Sequence, residues 1–122
     1  MCKKSKLELE VINKFSDVIT QQKFDWLKYK KSMSLDFYIP DKNIAIECQG
    51  KQHFTPDSKF GEKNEFDNII QRDILKYNLC KEHNIEIIYY FPKEFLKYDI
   101  EFYKDKKCFH NINDMNIYII KS

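Results

Sequence analysis

DFYIPDKNIAIECQGKQHF, residues 36–54, is the stretch that decides the fold. Polar and apolar side chains alternate through residues 35–39 and again through residues 43–49, and the intervening PDKN has the composition of a tight turn. The pattern predicts two short strands joined as a β-hairpin. Two carboxylates, a glutamine and a histidine lie within this otherwise apolar stretch, and the question is why they are there.

The predicted register of the hairpin brings two acids together. If Asp41 and Lys42 are the central turn residues, Asp36 lies directly opposite Glu47, with Cβ atoms about 5 Å apart and Gln49 on the same face. A shift of one residue would separate the two acids, so the prediction depends on the turn. The opposite face takes the apolar side chains of Phe37, Ile39, Ile44, Ile46 and Cys48.

Two facing carboxylates repel each other and need a compensating charge. A hard divalent cation such as Mg²⁺ suits two carboxylates, a backbone carbonyl and water. The carbonyl of Cys48, between Glu47 and Gln49, is the natural third ligand. The residues alone leave a second interpretation open, in which Asp36 and Glu47 are half-exposed acids on a solvated sheet face.

Residues 5–19 have the apolar repeat of a helix, with Ser5 available as its N-cap. A helical wheel places Glu8 in the middle of the apolar face, where an unpaired carboxylate is costly. Glu8 is therefore either part of a site or one half of a capping box with Ser5.

Residues 65–83 are predicted to form a second, longer helix. Asp73 again lies in the middle of the apolar face, with Lys76 one turn further on. A local Asp–Lys pair is the ordinary alternative, and it explains the spacing but not the inward position. His53, just after Gly50, adds a group suited to acid–base catalysis or metal binding. Together with the hairpin acids, these groups indicate a site.

The remaining segments complete one α/β domain spanning residues 1–122, in which helices cover a central mixed sheet. Strands are predicted for residues 86–91 and 116–120, a short helix for 92–96, an exposed loop for 55–64, and a short strand or lead-in for 23–29.

The composition is that of a globular protein, with 43% hydrophobic and 33% charged residues and a net charge of +2. No apolar run suits a membrane span, and the first residues lack a signal-peptide pattern, which predicts a cytoplasmic location in a bacterial, phage or infected-host cytosol. The four cysteines are expected to be reduced. A zinc site is a less favoured alternative, since one candidate pair is closely spaced; its ligands would be Cys80, His83, Cys108 and His110.

LDFYIP followed by IAIECQGKQHF, a variable loop and a helix carrying QRDILKYNLCKEHNIEIIYY resembles the PD-(D/E)XK nuclease superfamily. The most similar branch is the EDxHD group, which includes very-short-patch-repair-like enzymes and homing-endonuclease catalytic domains, and the resemblance covers residues 5–91. It implies a restriction-endonuclease-like three-layer sandwich and hydrolysis of DNA phosphodiesters with Mg²⁺ or Mn²⁺. The implied partners are DNA and either a second copy of the chain or a separate DNA-recognition domain.

Matched residue by residue, Asp36 and Glu47 correspond to the metal-binding acids of the first two core strands. Glu8 corresponds to the glutamate of the first helix and His53 to the histidine of the QH pair. Residues 73–76 correspond to the D-x-x-K of the second helix.

Gln49 and Leu35 depart from the family pattern. Gln49 replaces the superfamily lysine, as glutamine does in some members, and Leu35 replaces a frequent proline. Two functions follow: an active endonuclease, or a nuclease-fold module that binds nucleic acid or a protein without cleaving. The predicted catalytic residues are Glu8, Asp36, Glu47, Gln49, His53, Asp73 and Lys76, and the predicted metal ligands are Asp36, Glu47 and Cys48.

Overall fold

The computed structural model describes the backbone of residues 5–55 and 63–122 and the side chains of residues 5–55 and 66–122. The helices are α1 (Lys6–Lys14), α2 (Lys63–Glu82) and α3 (Ile112–Lys121), and the strands are β1 (Ile19–Tyr29), β2 (Lys31–Ile39), β3 (Ile44–Cys48), β4 (Glu86–Tyr90) and β5 (Cys108–Phe109). Three short 3₁₀ helices span Lys51–His53, Lys93–Tyr98 and Glu101–Tyr103.

The five strands form one mixed sheet in the order β1-β2-β3-β4-β5. The first three strands are antiparallel neighbours, and β3, β4 and β5 run parallel to one another. A parallel pair needs a crossover connection, which α2 supplies between β3 and β4. The predicted α/β class with a central mixed sheet is therefore confirmed.

The two faces of the sheet carry separate apolar clusters. On one face, Val11 of α1 and Met115 and Ile119 of α3 pack against β2, β3 and β4. On the other, Cys80 of α2 packs with residues of β1 to β4 and with Tyr103, which belongs to the segment that follows β4, called the tail below. This arrangement of helices on both faces is compatible with a three-layer sandwich.

The predicted hairpin and its register are confirmed. Phe37 pairs with Ile46, and Ile39 pairs with Ile44 as the last pair before the turn. Asn43 ends the turn with φ 53°, a left-handed conformation that asparagine tolerates better than most residues. The face predicted to be apolar packs as expected against α1 and α3.

The alternation of β2 is broken at Asp36. Leu35 packs in the cluster beneath α2, whereas Phe37, two residues later, packs on the opposite face. Regular pleating would place both side chains on one face. The irregularity lies at the position of the first predicted metal ligand.

The first predicted helix is too long. It ends at Lys14 rather than residue 19, because Val18, Ile19 and Thr20 are β-branched and lead into β1. The segment 23–29, predicted as a short strand or lead-in, belongs to this 11-residue edge strand.

The predicted strand at 116–120 is wrong, because these residues belong to α3. The Asn111 side chain accepts hydrogen bonds from the backbone of Asn113 and Asp114, and Met115 and Ile119, four residues apart, are buried together. The fifth strand is instead Cys108–Phe109. The short helix predicted at 92–96 is present as the 3₁₀ helix Lys93–Tyr98.

Most of the loop predicted at 55–64 lies outside the described residues, and residues 63 and 64 belong to α2. None of the described helices combines the length and apolar character needed to cross a membrane.

Candidate active site

Asp36 and Glu47 lie just past the last hydrogen-bonded pair of the hairpin. The Asp36 backbone N–H donates to Glu47 Oε2 at 2.7 Å, and the Cys48 N–H donates to Asp36 Oδ2 at 2.9 Å. Each carboxylate therefore satisfies a backbone donor of the opposite strand. The two acids are neighbours as predicted, and this reciprocal bonding holds both in place.

The pKa of the Asp36 carboxyl is raised to about 7. Burial is the largest cause, followed by the negative charge of Glu47, while the Cys48 N–H and the Lys76 ammonium lower the pKa. The alternative of two acids on a solvated face does not fit, because Glu47 is only 3% exposed.

Lys76 supplies a cation from α2. Its Nζ lies 2.7 Å from Glu47 Oε1 and donates to the Ser34 carbonyl at 2.8 Å. Burial alone lowers the pKa of Lys76, but the charge and hydrogen bond of Glu47, with the charge of Asp36, raise it on balance. The ordinary local pair of Lys76 with Asp73 is thus replaced by a pair that joins α2 to β3.

His53 and Asp73 form a second pair. The 3₁₀ helix Lys51–His53 follows β3, and Phe54 after it is buried and stacked on Tyr103 with ring centroids 4.9 Å apart. This packing places His53 Nδ1 2.8 Å from Asp73 Oδ2. A carboxylate only accepts hydrogen bonds, so the proton lies on Nδ1 and leaves Nε2 as the second functional nitrogen of the ring.

Gln49 and Tyr103 extend this pair into the core. Gln49 Nε2 donates to the Tyr103 hydroxyl at 3.1 Å, and that hydroxyl donates to Asp73 Oδ2 at 3.4 Å. Gln49 and Tyr103 are 2% and 6% exposed. Burial, followed by the charge of Asp73, raises the pKa of the Tyr103 hydroxyl, which stays protonated and able to donate. Gln49 therefore supports the His53–Asp73 pair.

One open cavity of about 310 Å³ collects these groups on the α2 side of the sheet. Arg72, the only arginine of the chain, and Gln52 also line it. Of the predicted catalytic residues, the cavity brings together Asp36, Glu47, Gln49, His53, Asp73 and Lys76.

Glu8 is not among the described residues that line the cavity. Its Oε1 accepts from the Ser5 N–H at 3.1 Å, and its own N–H donates to Ser5 Oγ at 3.2 Å, so the capping box is present. The negative charge of Glu8 still contributes to the raised pKa of Asp36. Glu8 thus acts on the site through its charge.

The backbone of Gly50 has φ −80°, which any residue can adopt, so the turn before His53 does not require a glycine.

The donor set determines which metal ion the site suits. Among the described residues, no group of three or more His, Cys, Asp or Glu side chains is placed to hold a metal. An ion here would depend on Asp36, Glu47, main-chain oxygen such as that of Cys48, and water. Mg²⁺ accepts such a set because it keeps several waters, and the negative charge that raises the pKa of Asp36 is what a cation relieves. Carboxylate and carbonyl oxygens are the donor types that Mg²⁺ and Mn²⁺ take.

The alternative zinc ligands are engaged elsewhere. Cys80 is fully buried in the core, and His83 stacks on Trp26 with ring centroids 3.8 Å apart. Cys108 Sγ donates to the Tyr103 carbonyl, and His110 Nδ1 contacts the Phe91 carbonyl. These four side chains form no metal-binding group.

Tyr103 and Arg72 are the site residues that sequence reasoning missed. Tyr103 lies 30 residues after Asp73 in a segment without a periodic pattern, so no local signal marks it. Arg72 directly precedes Asp73, and its being the only arginine was a signal available in the sequence.

No family model, curated protein or solved structure matches the chain. The function is therefore argued from the geometry of the site.

Proposed function

We propose that the protein is a metal-dependent DNA endonuclease with a restriction-endonuclease-like fold, related to the EDxHD branch of the PD-(D/E)XK superfamily. The observation that carries the proposal is the cavity in which half-buried Asp36, buried Glu47, a lysine and a histidine–aspartate pair meet. Two adjacent acids of low exposure beside an acid–base group suit phosphodiester hydrolysis.

Mg²⁺ or Mn²⁺ bound by Asp36, Glu47 and main-chain oxygen would polarise the scissile phosphate and lower the pKa of the attacking water. Asp36, whose pKa is raised to about 7, is partly protonated at neutral pH, and a bound cation would favour the ionised carboxylate that serves as a ligand.

His53 is the acid–base group of the proposal. Asp73 accepts a hydrogen bond from the Nδ1–H, so Nε2 is available to accept a proton from the attacking water or to return one to the leaving oxygen. Tyr103 and Gln49 keep Asp73 in position from the buried side.

Lys76 and Arg72 bind the substrate phosphate and its developing negative charge. Lys76 is fixed by Glu47 and Ser34, which pre-organises its ammonium beside the acids. Arg72 is exposed at the rim of the cavity, where a guanidinium suits phosphate oxygens.

The alternative function is a nuclease-fold module that binds nucleic acid or a protein without cleaving, and it depended on Gln49 in place of a lysine. The ammonium of Lys76 beside Glu47 favours the active enzyme, because it supplies the cation that Gln49 lacks.

The decisive experiment incubates the purified chain with supercoiled plasmid in Mg²⁺, in Mn²⁺ and in chelator. We expect nicked or linear product only with metal, and a loss of at least about a hundredfold in rate for Asp36→Ala and Glu47→Gln. Asp41→Ala, in the exposed turn of the same hairpin, is the matched control and should cut like wild type.

If wild type cuts no better than Asp36→Ala while circular dichroism shows both folded, the enzyme proposal fails. Retention of plasmid binding by that inactive wild type would favour the alternative module.

A further inference from the structure

The free edge of β1 is the most distinctive surface outside the candidate site. β1 pairs with β2 on one side, and no described strand pairs with its other edge. At 11 residues it is about twice the typical strand length. Exposed edges of this length pair readily with other strands unless charges or bulges prevent it.

The side chains of β1 alternate from Gln22 to Trp26, and the alternation ends at Leu27, which packs in the same cluster as Trp26. Phe24 and Trp26 are half-buried and pack with the cluster beneath α2, whereas Lys23 and Asp25 are exposed on the opposite face. An edge lysine normally opposes pairing, as does the register shift between Lys23 and Lys28. Here, however, the lysine and the aspartate lie on either side of Phe24.

A second copy of the chain can use this pattern. Two identical edge strands that continue one sheet run antiparallel about a two-fold axis perpendicular to it, so one residue faces its own copy. With Phe24 on the axis, Lys23 of each copy faces Asp25 of the other. Opposite charges at directly opposed positions stabilise a ladder.

Neighbouring registers are disfavoured by the same charges. An axis at Lys23 would place two lysines face to face, and an axis at Asp25 would place two aspartates face to face. The pairing is confined to the part of β1 near Phe24, because the register of β1 against β2 shifts between Lys23 and Lys28 and Gln21 has φ 51°.

We propose that the chain forms a homodimer by antiparallel pairing of β1 with β1 of a second copy, centred on Phe24. The two five-stranded sheets become one continuous sheet. Because the axis is perpendicular to that sheet, both α2 helices and both cavities face the same side. That the dimer could present two sites to one DNA duplex rests on the proposed function, whereas the dimer itself does not.

The test is a charge exchange measured by sedimentation equilibrium. Lys23→Asp alone opposes two acids at each end of the pairing, and Asp25→Lys alone opposes two lysines, so each should weaken the dimer by about tenfold or more. Mixing the two single variants, or combining both substitutions in one chain, restores opposite charges and should restore dimerisation. Lys28→Asp, on the same strand but beyond the register shift, is the matched control and should leave the dimer largely intact.

A wild-type chain that stays monomeric at about 100 μM overturns the proposal, since weak interfaces would already associate there. A dimer that survives Lys23→Asp, or a mixture of the single variants that fails to associate, also overturns it. Circular dichroism of each variant controls for folding, and no readout depends on DNA cleavage.

Discussion

Asp36 has the clearest electrostatic signature of any single residue in the site. Its carboxyl is half-buried beside Glu47, and burial raises its pKa to about 7 from an ordinary 3.8. Because the folded value lies above the unfolded value, the stabilisation by the protonated form is fully present below about pH 4 and is lost as the pH rises through 7. The ionised acid is then retained at a cost in stability.

Asp36→Asn tests this pH dependence. The amide oxygen still accepts from the Cys48 N–H, but the side chain cannot ionise. In chelator, we expect the variant to gain stability over wild type from pH 4 to 7, and to be more stable by about 1–2 kcal/mol at pH 8. Urea unfolding at pH 5 and pH 8 measures the difference, with Asp41→Asn as the control. A variant that is less stable than wild type at pH 8 contradicts the prediction.

Lys76 and Glu47 form the most buried ion pair among the described side chains of the site. The Lys76 and Glu47 side chains are only 17% and 4% exposed. Lys76→Met removes the cation and leaves a buried carboxylate beside Asp36, so we expect a loss of about 3–5 kcal/mol in the free energy of unfolding. Lys104→Met, which breaks exposed pairs with Asp99 and Glu101, should cause no measurable loss. Equal effects of the two substitutions would disprove the buried role.

Tyr103, in the tail, contributes its hydroxyl to the hydrogen bonds of the site. Tyr103→Phe removes the hydroxyl that joins Gln49 to Asp73 and leaves the buried amide without that partner. We expect a loss of about 1–3 kcal/mol in urea unfolding. Tyr118→Phe, whose hydroxyl bonds to Glu86 at the surface, is the matched control and should cost less. No loss for Tyr103→Phe would show that the network does not support the fold.

At the scale of elements, the hairpin, α2 and β4 were predicted from local pattern. In each the apolar period matches the side-chain geometry of the element, and turn residues or Pro92 mark its ends. The prediction of a strand at 116–120 was wrong because the sequence NIYII, which is apolar and rich in β-branched and aromatic residues, is also typical of a strand. Its helix is decided by the cap at Asn111 and by the burial of Met115 and Ile119 against the sheet.

Asn111→Ala tests the origin of α3. Loss of the side-chain acceptor leaves the Asn113 and Asp114 backbone donors without their cap, so we expect a loss of about 1 kcal/mol in chemical denaturation. Asn113→Ala, within the same first turn but exposed, should be nearly neutral. An equal cost at both positions would contradict the capping role.

At the scale of the whole molecule, Asp36 and Glu47 are brought together by the folded hairpin and backed by α2. A cation bound by both acids therefore binds the folded chain alone and raises its stability. We expect Mg²⁺ at ten times its dissociation constant to raise the melting temperature by about 3–6 °C. Asp36→Asn and Glu47→Gln should abolish the shift, whereas Asp99→Asn should keep it. A shift of the same size in all four proteins would exclude this site as its cause.

The amino-acid sequence by itself determined the hairpin register, the neighbouring Asp36 and Glu47, and the inward direction of Asp73. These features follow from short-range periodicity and turn chemistry, which act between residues close in the chain.

Only the tertiary structure decided the partners of those side chains. Lys76 pairs with Glu47, 29 residues away, rather than with Asp73 on its own helix, and Tyr103 joins Gln49 across 54 residues. Glu8 forms its capping box at the start of α1 instead of lining the cavity. Such choices depend on how α2 and the tail pack on the sheet, because a buried polar group takes the partner that packing brings within reach.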